Sequence, residues 1–319
     1  MSFPLNAPQR EAVRHVDGPL LVLAGAGSGK TRVITAKIAH LIELGLEPAK
    51  IAAITFTNKA AREMRERAAK LLGGQGRADA ARAVQISTFH SLGLSILRAE
   101  HKALGLKSGF SIFDPADLEP IVAELVATAD RAKARAALWK ISGWKNALVA
   151  PAAALKAAKD DEELAAARAY VRYADALQAY QAVDFDDLIV RPVELLERDA
   201  GARERWTRRF DHVLVDEVQD TNAAQYLLLR RLAGEAGRFT AVGDDDQAIY
   251  GWRGATLDNL AQLANDYPSL KVVKLEQNYR STVRILKSAN ALIANNPKLF
   301  DKRLWSDLGH GDALRVTPA

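Results

Sequence analysis

The chain has no cysteine, which excludes disulfides, thiolate metal sites and thiol nucleophiles. Its six histidines are scattered, and none forms the H-E-x-x-H pair of a zinc hydrolase. No stretch approaches the ~18 uninterrupted apolar residues of a membrane span. The start, Met1-Ser2-Phe3-Pro4, lacks a basic run followed by an apolar run, so no secretory signal is read there. Internal repeats and low-complexity tails are also missing. These absences leave a globular protein, expected to be cytoplasmic and without a membrane partner.

What is present fits that class. The chain has 319 residues, of which 49% are hydrophobic and 26% charged. That is enough for a sizeable core and for about two domains. Lysine and arginine exceed aspartate and glutamate by 44 − 39 = 5. A mildly basic balance is compatible with a nucleic-acid partner, but solvated surface charge explains it equally well.

Short runs that are apolar throughout, Leu20 to Leu23, Ile51 to Phe56, Val213 to Val215 and Phe239 to Val242, read as strands covered on both faces of a parallel sheet. Helical stretches, Lys30 to Leu44 and Asn58 to Leu72, follow two of them directly, so the fold class is α/β. From about Asp117 to Gln181 the chain is rich in alanine and other helix formers, which predicts a helical insertion. Gly143 and Pro151 are expected to mark helix ends within it. A further helix is expected over Ser281 to Asn296, and a strand-like Ala313 to Val316 has no visible partner.

After the first strand comes Ala24-Gly25-Ala26-Gly27-Ser28-Gly29-Lys30-Thr31, opening a helix. This is the pattern G-x-x-x-x-G-K-S/T with alanine in the first place. Glycines let successive backbone N–H groups curl around an anion, and a helix N-terminus adds partial positive charge. Lys30 is expected at the β- and γ-phosphates of a nucleotide, and Thr31 on Mg²⁺. The apolar run Val213 to Val215 ends in Asp216-Glu217, which supplies the acidic partner. Asp216 is expected to hold Mg²⁺ and Glu217 to deprotonate a water, so the pair predicts ATP hydrolysis.

Around these elements lie Leu5-Asn6 with Gln9, Thr55 to Ala61, Thr88-Phe89-His90-Ser91, and Asp184-Phe185-Asp186-Asp187-Leu188. Asp216 to Thr221, Gly243 to Gly254 and Gln277-Asn278-Tyr279-Arg280-Ser281 follow in order. With the phosphate loop, these segments resemble those of the superfamily 1A DNA helicases, the UvrD/PcrA/Rep-like group. Ala24 is the form usual in that family, whereas Val218 replaces its usual aromatic residue.

The resemblance implies a RecA-like P-loop NTPase sheet with a helical insertion subdomain and the start of a second RecA-like domain. The boundaries expected are 1–86 and 186–276 for the first motor domain, 87–185 for the insertion and 277–319 for the second domain. It further implies roles for single residues. Gln9 would read the adenine, Arg32 would help hold the nucleotide, and Tyr279 and Arg280 would touch the base and the γ-phosphate. Gln247 would sense the γ-phosphate. Phe56, Thr57, Asn58, Thr88, His90, Tyr250, Trp252 and Arg253 would contact single-stranded DNA, the aromatic rings by stacking. Without the family, Gln9 and Arg32 are ordinary polar residues, and Phe56, Tyr250 and Trp252 could fill core. Gly251 and Gly254 favour a loop, and hence stacking, for the last two.

The activity implied is that of an ATP-dependent 3′ to 5′ helicase or translocase on single-stranded DNA and single-strand/duplex junctions, in replication restart or repair. Two alternatives stay open: a nucleotide-responsive DNA-binding module without unwinding, and a subunit of a recombination helicase–nuclease. Asp184, Asp186 and Asp187 could pair metals for a nuclease, but no further ligands accompany them, so a structural role is preferred. The resemblance covers essentially the whole chain as an N-terminal portion. It implies that most of the second motor domain lies beyond it, along with the regions that replisome or repair proteins would bind. The chain is thus expected to be a truncated helicase, complete in fold for its part but not as a motor.

Overall fold

The computed structural model describes residues 4–74 and 78–315, apart from the side chains of Ala78 and Arg253. Its strands, in chain order, are β1 (Leu20–Ala24), β2 (Ile51–Thr55), β3 (Gln85–Thr88), β4 (Ser111–Ile112), β5 (Ala182–Val183), β6 (His212–Val215), β7 (Phe239–Gly243) and β8 (Lys271–Leu275). Six of them form one sheet in the order β3-β2-β6-β7-β1-β8, and every pairing in it is parallel.

Side chains alternate across a strand, so each apolar strand supplies two faces. Leu21, Leu23, Ile54, Val213, Val215 and Phe239 face one buried layer. The helices Phe89–Ala99, Asp187–Arg198 and Ala223–Ala233 complete that layer. Leu20, Val22, Ile51, Ala53, Leu214 and Val242 face the other layer, with the helices Lys30–Glu43 and Asn58–Gly73. This double cover is why the inner strands β1, β2, β6 and β7 are mostly apolar rather than alternating, whereas the edge strand β8 alternates. Loops leaving the carboxyl ends of a parallel sheet share one edge, where open α/β sheets bind ligands. The loops after β1, β2, β6 and β7 all do so here.

The alanine-rich stretch forms a separate helical lobe with its own core, including Leu118, Val122, Ile141, Tyr170 and Tyr173. Its helices are Pro115–Leu125, Arg131–Asn146, Pro151–Ala157 and Asp161–Tyr180. The two-residue pair β4–β5, with Ser111 opposite Ala182 and Ile112 opposite Val183, closes its base. Pro151 begins a helix as expected. Gly143 does not end one: it lies inside Arg131–Asn146, where the helix's buried stripe (Ala134, Ala137, Ile141, Lys145) carries it through. The sheet also runs on to Thr88, past the boundary expected at residue 86, because Ser87 and Thr88 pair with Ile54 and Thr55. The helix Phe89–Ala99 packs in the sheet's core and not in the lobe.

Asp184, Asp186 and Asp187 form the neck between lobe and sheet. Lys145 Nζ lies 2.6 Å from Asp184 Oδ2 and 2.7 Å from Asp187 Oδ1, all three residues buried. Burial opposes the Lys145 charge, but Asp187 and Asp184 outweigh it and hold its pKa above the ordinary lysine value. Tyr173 donates to Asp184 Oδ2 at 2.8 Å. Asn146 Nδ2 donates to Asp186 Oδ1 at 2.7 Å and its Oδ1 accepts from Asn222 at 2.7 Å. These carboxylates are engaged in the neck, in keeping with the structural reading.

After β8, Gln277 bridges Trp305, and the helix Val283–Ile293 stands where Ser281 to Asn296 was read. Ala313 to Arg315 join no strand, and Val316 lies outside the described residues.

Candidate functional site

The loop from β1 to the helix Lys30–Glu43 is a tight anion cradle. Ser28 Oγ donates to Gly25 O at 2.7 Å, closing the turn. Gly27 and Gly29 have φ of +73° and +96°, a left-handed region costly for any residue with a Cβ. A Cβ at Gly27 would stand 2.7 Å from Arg280 Cβ, and one at Gly29 2.8 Å from Gln9 Nε2. The loop is therefore walled by two residues that the sequence assigned to the nucleotide.

Gln9 is fully buried. Its Oε1 accepts from Asn6 N at 3.1 Å and its Nε2 donates to Ser28 O at 2.8 Å. It thus caps the helix Ala7–Arg14 and pins the cradle at once. Across the loop, Asn278 Nδ2 donates to Ala26 O at 2.5 Å and Tyr279 N to Gly27 O at 2.9 Å. Asn6 Nδ2 donates to the Tyr279 hydroxyl at 2.9 Å, and Arg280 N to Asn278 Oδ1 at 2.8 Å. Gln9, residues 24–31, Tyr279 and Arg280 therefore meet at one place, and Arg32 follows in the helix.

β6 delivers the acidic pair. Asp216 is buried, and Glu217 turns out of the strand at φ +52°, an unusual conformation for a residue with a side chain. Lys30 Nζ lies 2.6 Å from Glu217 Oε2, with side-chain exposures of 11% and 35%. Gln219 Nε2 donates to the same Oε2 at 3.0 Å, and Gln219 Oε1 accepts from Asp244 N at 3.0 Å. Gln247 Nε2 in turn donates to Asp244 Oδ2. Gln247 is thus linked to Glu217 through Asp244, by its side chain and its backbone N–H, and the side chain of Gln219.

Burial, then the neighbouring Glu217, pushes the Asp216 carboxyl up to about 7. The same two causes push Asp220 up to about 6, and its Oδ1 is buried without a hydrogen-bond partner. A glycine cradle facing under-neutralised carboxylates fits a phosphate group with a divalent cation. A carboxyl raised by burial favours the protonated fold. Its ionisation removes stability progressively as pH rises from about 4 to 7, and fully above that. Asp216→Asn is therefore expected to stabilise the chain by about 2–3 kcal/mol at pH 8 and by much less near pH 5. Urea unfolding at the two pH values measures this. A loss of stability at pH 8 would show that the Asp216 charge is already compensated.

A cavity of about 700 Å³ opens beside this site, between sheet and lobe. Phe56, Thr57, His90, Tyr250 and Trp252 line it. Phe56 packs edge-on to Phe89 with ring centroids 5.7 Å apart, so it is part wall and part core. Burial holds the His90 ring below the usual histidine pKa. Tyr250 and Trp252 stand on an exposed loop, their rings 6.3 Å apart, with Trp252 64% exposed. Thr57 and Thr88 accept from Ala60 N and Ser91 N, capping two helices. Thr88 and Asn58 are not among the lining residues, and the Arg253 side chain lies outside the described ones.

The lobe supplies the opposite wall, with Trp139, Lys140 and Trp144, none of which sequence reading singled out. Trp144 stacks on Tyr170 and belongs to the lobe, whereas Trp139 is 70% exposed. Trp139 falls off the buried stripe of its helix, a signal that was present in the periodicity.

Residues 5–268 match the family described as the UvrD/REP helicase N-terminal domain. The chain is 52% identical over 319 residues to the ATP-dependent DNA helicase Rep of Escherichia coli (strain K12), covering 99% of this chain and 47% of that protein. Rep of Salmonella typhimurium gives the same identity and coverage. The ATP-dependent DNA helicase PcrA of Leuconostoc citreum is 44% identical over 315 residues, covering 97% of this chain and 42% of that protein. The chain thus spans about half the length of the curated relatives it matches. No helix among the described residues is long and apolar enough to cross a membrane.

Proposed function

The chain belongs to the UvrD/REP helicase family, and from that premise we propose that it carries the ATP site and the single-stranded DNA groove of a DNA helicase or translocase. The direction is 3′ to 5′, the substrates are single strands and their junctions with duplex, and the setting is replication restart or repair. Residues 1–110 and 187–276 form the first motor domain, 111–186 the lobe that covers the groove, and 277–319 the start of a second domain.

The backbone N–H groups of residues 25–31 and the Lys30 ammonium hold the phosphates. Thr31 and Asp216 would hold Mg²⁺, which would supply charge neutralisation at the phosphates. Tyr279 flanks the base, Gln9 reads the adenine once its amide leaves Ser28 O, Arg32 steadies the phosphate end, and Arg280 offers its charge to the γ-phosphate. Glu217, released from Lys30, takes a proton from the attacking water.

The observation that carries this reading is the loop after β7. At one end Gln247 joins the hydrogen-bonded path to Glu217, and three residues on, Tyr250 enters the cavity wall with Trp252. One short segment therefore reaches the hydrolytic carboxylate through Gln219 and lines the groove directly, which is what coupling of nucleotide state to DNA grip requires.

Trp252→Ala and Trp139→Ala are each expected to weaken binding of a fluorescent oligothymidine about tenfold, since a base stacked on an aromatic ring contributes ~1–3 kcal/mol. Fluorescence anisotropy at fixed salt reads the affinity. Unchanged affinity in both variants would remove the cavity from the DNA path.

A further inference from the structure

The sequence from Gly243 runs Asp244-Asp245-Asp246 before Gln247, three adjacent carboxylates at the end of β7. Their oxygens lie within 4.8 Å of one another. Like charges so close repel, and burial strengthens the repulsion. Asp244 and Asp245 are nevertheless buried.

The compensation comes from far along the chain. Lys302 is itself buried, and its Nζ lies 2.7 Å from Asp244 Oδ1 and 2.7 Å from Asp246 Oδ2 while also donating to Asp245 Oδ1. Phe300 N adds a bond to Asp245 Oδ2 at 3.2 Å. Lys302 belongs to the segment after β8 that also lays Asn278, Tyr279 and Arg280 against the phosphate loop. Burial opposes its charge, but the three carboxylates hold it protonated.

We infer that Lys302 is a positioning residue for ATP hydrolysis: its contacts with Asp244, Asp245 and Asp246 hold the 244–247 loop in the shape that links Gln247 and Gln219 to Glu217. This rests on the function proposed above. Seating of the segment after β8 thereby sets the geometry of the hydrolytic carboxylate through the 244–247 loop. Lys302→Met leaves the three carboxylates without their cation at the base of the loop, and Lys302→Arg returns one.

The test is amide hydrogen exchange of this chain without nucleotide, alongside steady-state ATP hydrolysis with single-stranded DNA. In Lys302→Met, exchange over residues 243–250 is expected to rise about tenfold or more while β1 and the helix Lys30–Glu43 keep their protection. kcat falls by about tenfold with KM for ATP nearly unchanged, and Lys302→Arg restores most of both. Unchanged exchange over 243–250 in Lys302→Met overturns the inference. If that variant loses protection everywhere, Lys302→Arg decides: protection regained supports the inference, and protection still lost overturns it. A wild-type chain that hydrolyses no ATP, but whose loop protection depends on Lys302, supports the positioning of the loop and counts against the proposed function instead.

Discussion

Replacing Glu217 by glutamine is expected to slow ATP hydrolysis by about a thousandfold, within the range contributed by a positioned general base. Glutamine keeps the shape and the hydrogen-bonding reach of the side chain but cannot take a proton. Nucleotide binding is expected to move the other way. In the structure Lys30 is paired with Glu217 at 2.6 Å, so phosphates must compete with a carboxylate for the ammonium. Removing that charge frees Lys30, and affinity for ATP rises a few-fold, in line with the modest strength of half-exposed ion pairs. A titration with a fluorescent ATP analogue and a phosphate-release assay read the two effects separately. Hydrolysis that survives in Glu217→Gln would assign the base elsewhere, and weakened binding would show that Glu217 supports the nucleotide rather than competing with it.

The largest effect expected on stability comes from a residue with no chemistry. Gly93 lies in the helix Phe89–Ala99, facing the helix Asp187–Arg198. A Cβ there would stand 1.7 Å from Leu188 O and 2.8 Å from Leu188 C. The obstacle is backbone, so no rotamer change relieves it and the two helices must separate. Both belong to the largest buried core. Gly93→Ala is expected to cost about 3–5 kcal/mol, at the severe end for overpacking and a large share of a domain's stability. The second helix begins at Asp187 in the neck and the first carries His90 into the groove. DNA affinity therefore falls along with the unfolding midpoint. Guanidinium unfolding measures the first effect. A change below about 1 kcal/mol would mean that the helices part easily, and that the neck is softer than its buried ion pairs imply.

Much of the fold and of the candidate site was legible because it is local. The four inner strands announce themselves by short apolar runs, whereas the edge strands β3 and β8 carry polar residues and do not. The phosphate loop is a contiguous pattern whose glycine geometry the structure reproduces at Gly27 and Gly29. Asp216-Glu217 sits at its strand end for the same reason. What was not legible depends on partners distant in the chain. Lys302 reads as one more surface lysine until its carboxylates, 56 to 58 residues earlier, close around it. Gly93 reads as a weak spot in a helix until Leu188 arrives opposite. Gly143 misled in the reverse sense, because tertiary packing of the stripe around Ile141 overrides a glycine's low helix propensity. The resemblance implies DNA contacts for Thr57 and Thr88, and their hydroxyls serve as helix caps in the structure. A capping hydroxyl keeps a lone pair and a hydrogen, so the cap explains the residue type without assigning the DNA role.

Under the proposed function the nucleotide site and the groove are joined through the loop from Asp244 to Trp252. The most direct measurement is the affinity of this chain for a single-stranded oligonucleotide, by fluorescence anisotropy at fixed salt, with no nucleotide, with ADP and with a non-hydrolysable ATP analogue. Coupling of the usual size shifts the dissociation constant by about fivefold or more between the ADP and ATP-analogue states, and Gln247→Ala abolishes the difference. Equal affinity in all three states, with both nucleotides shown to be bound, would contradict the account.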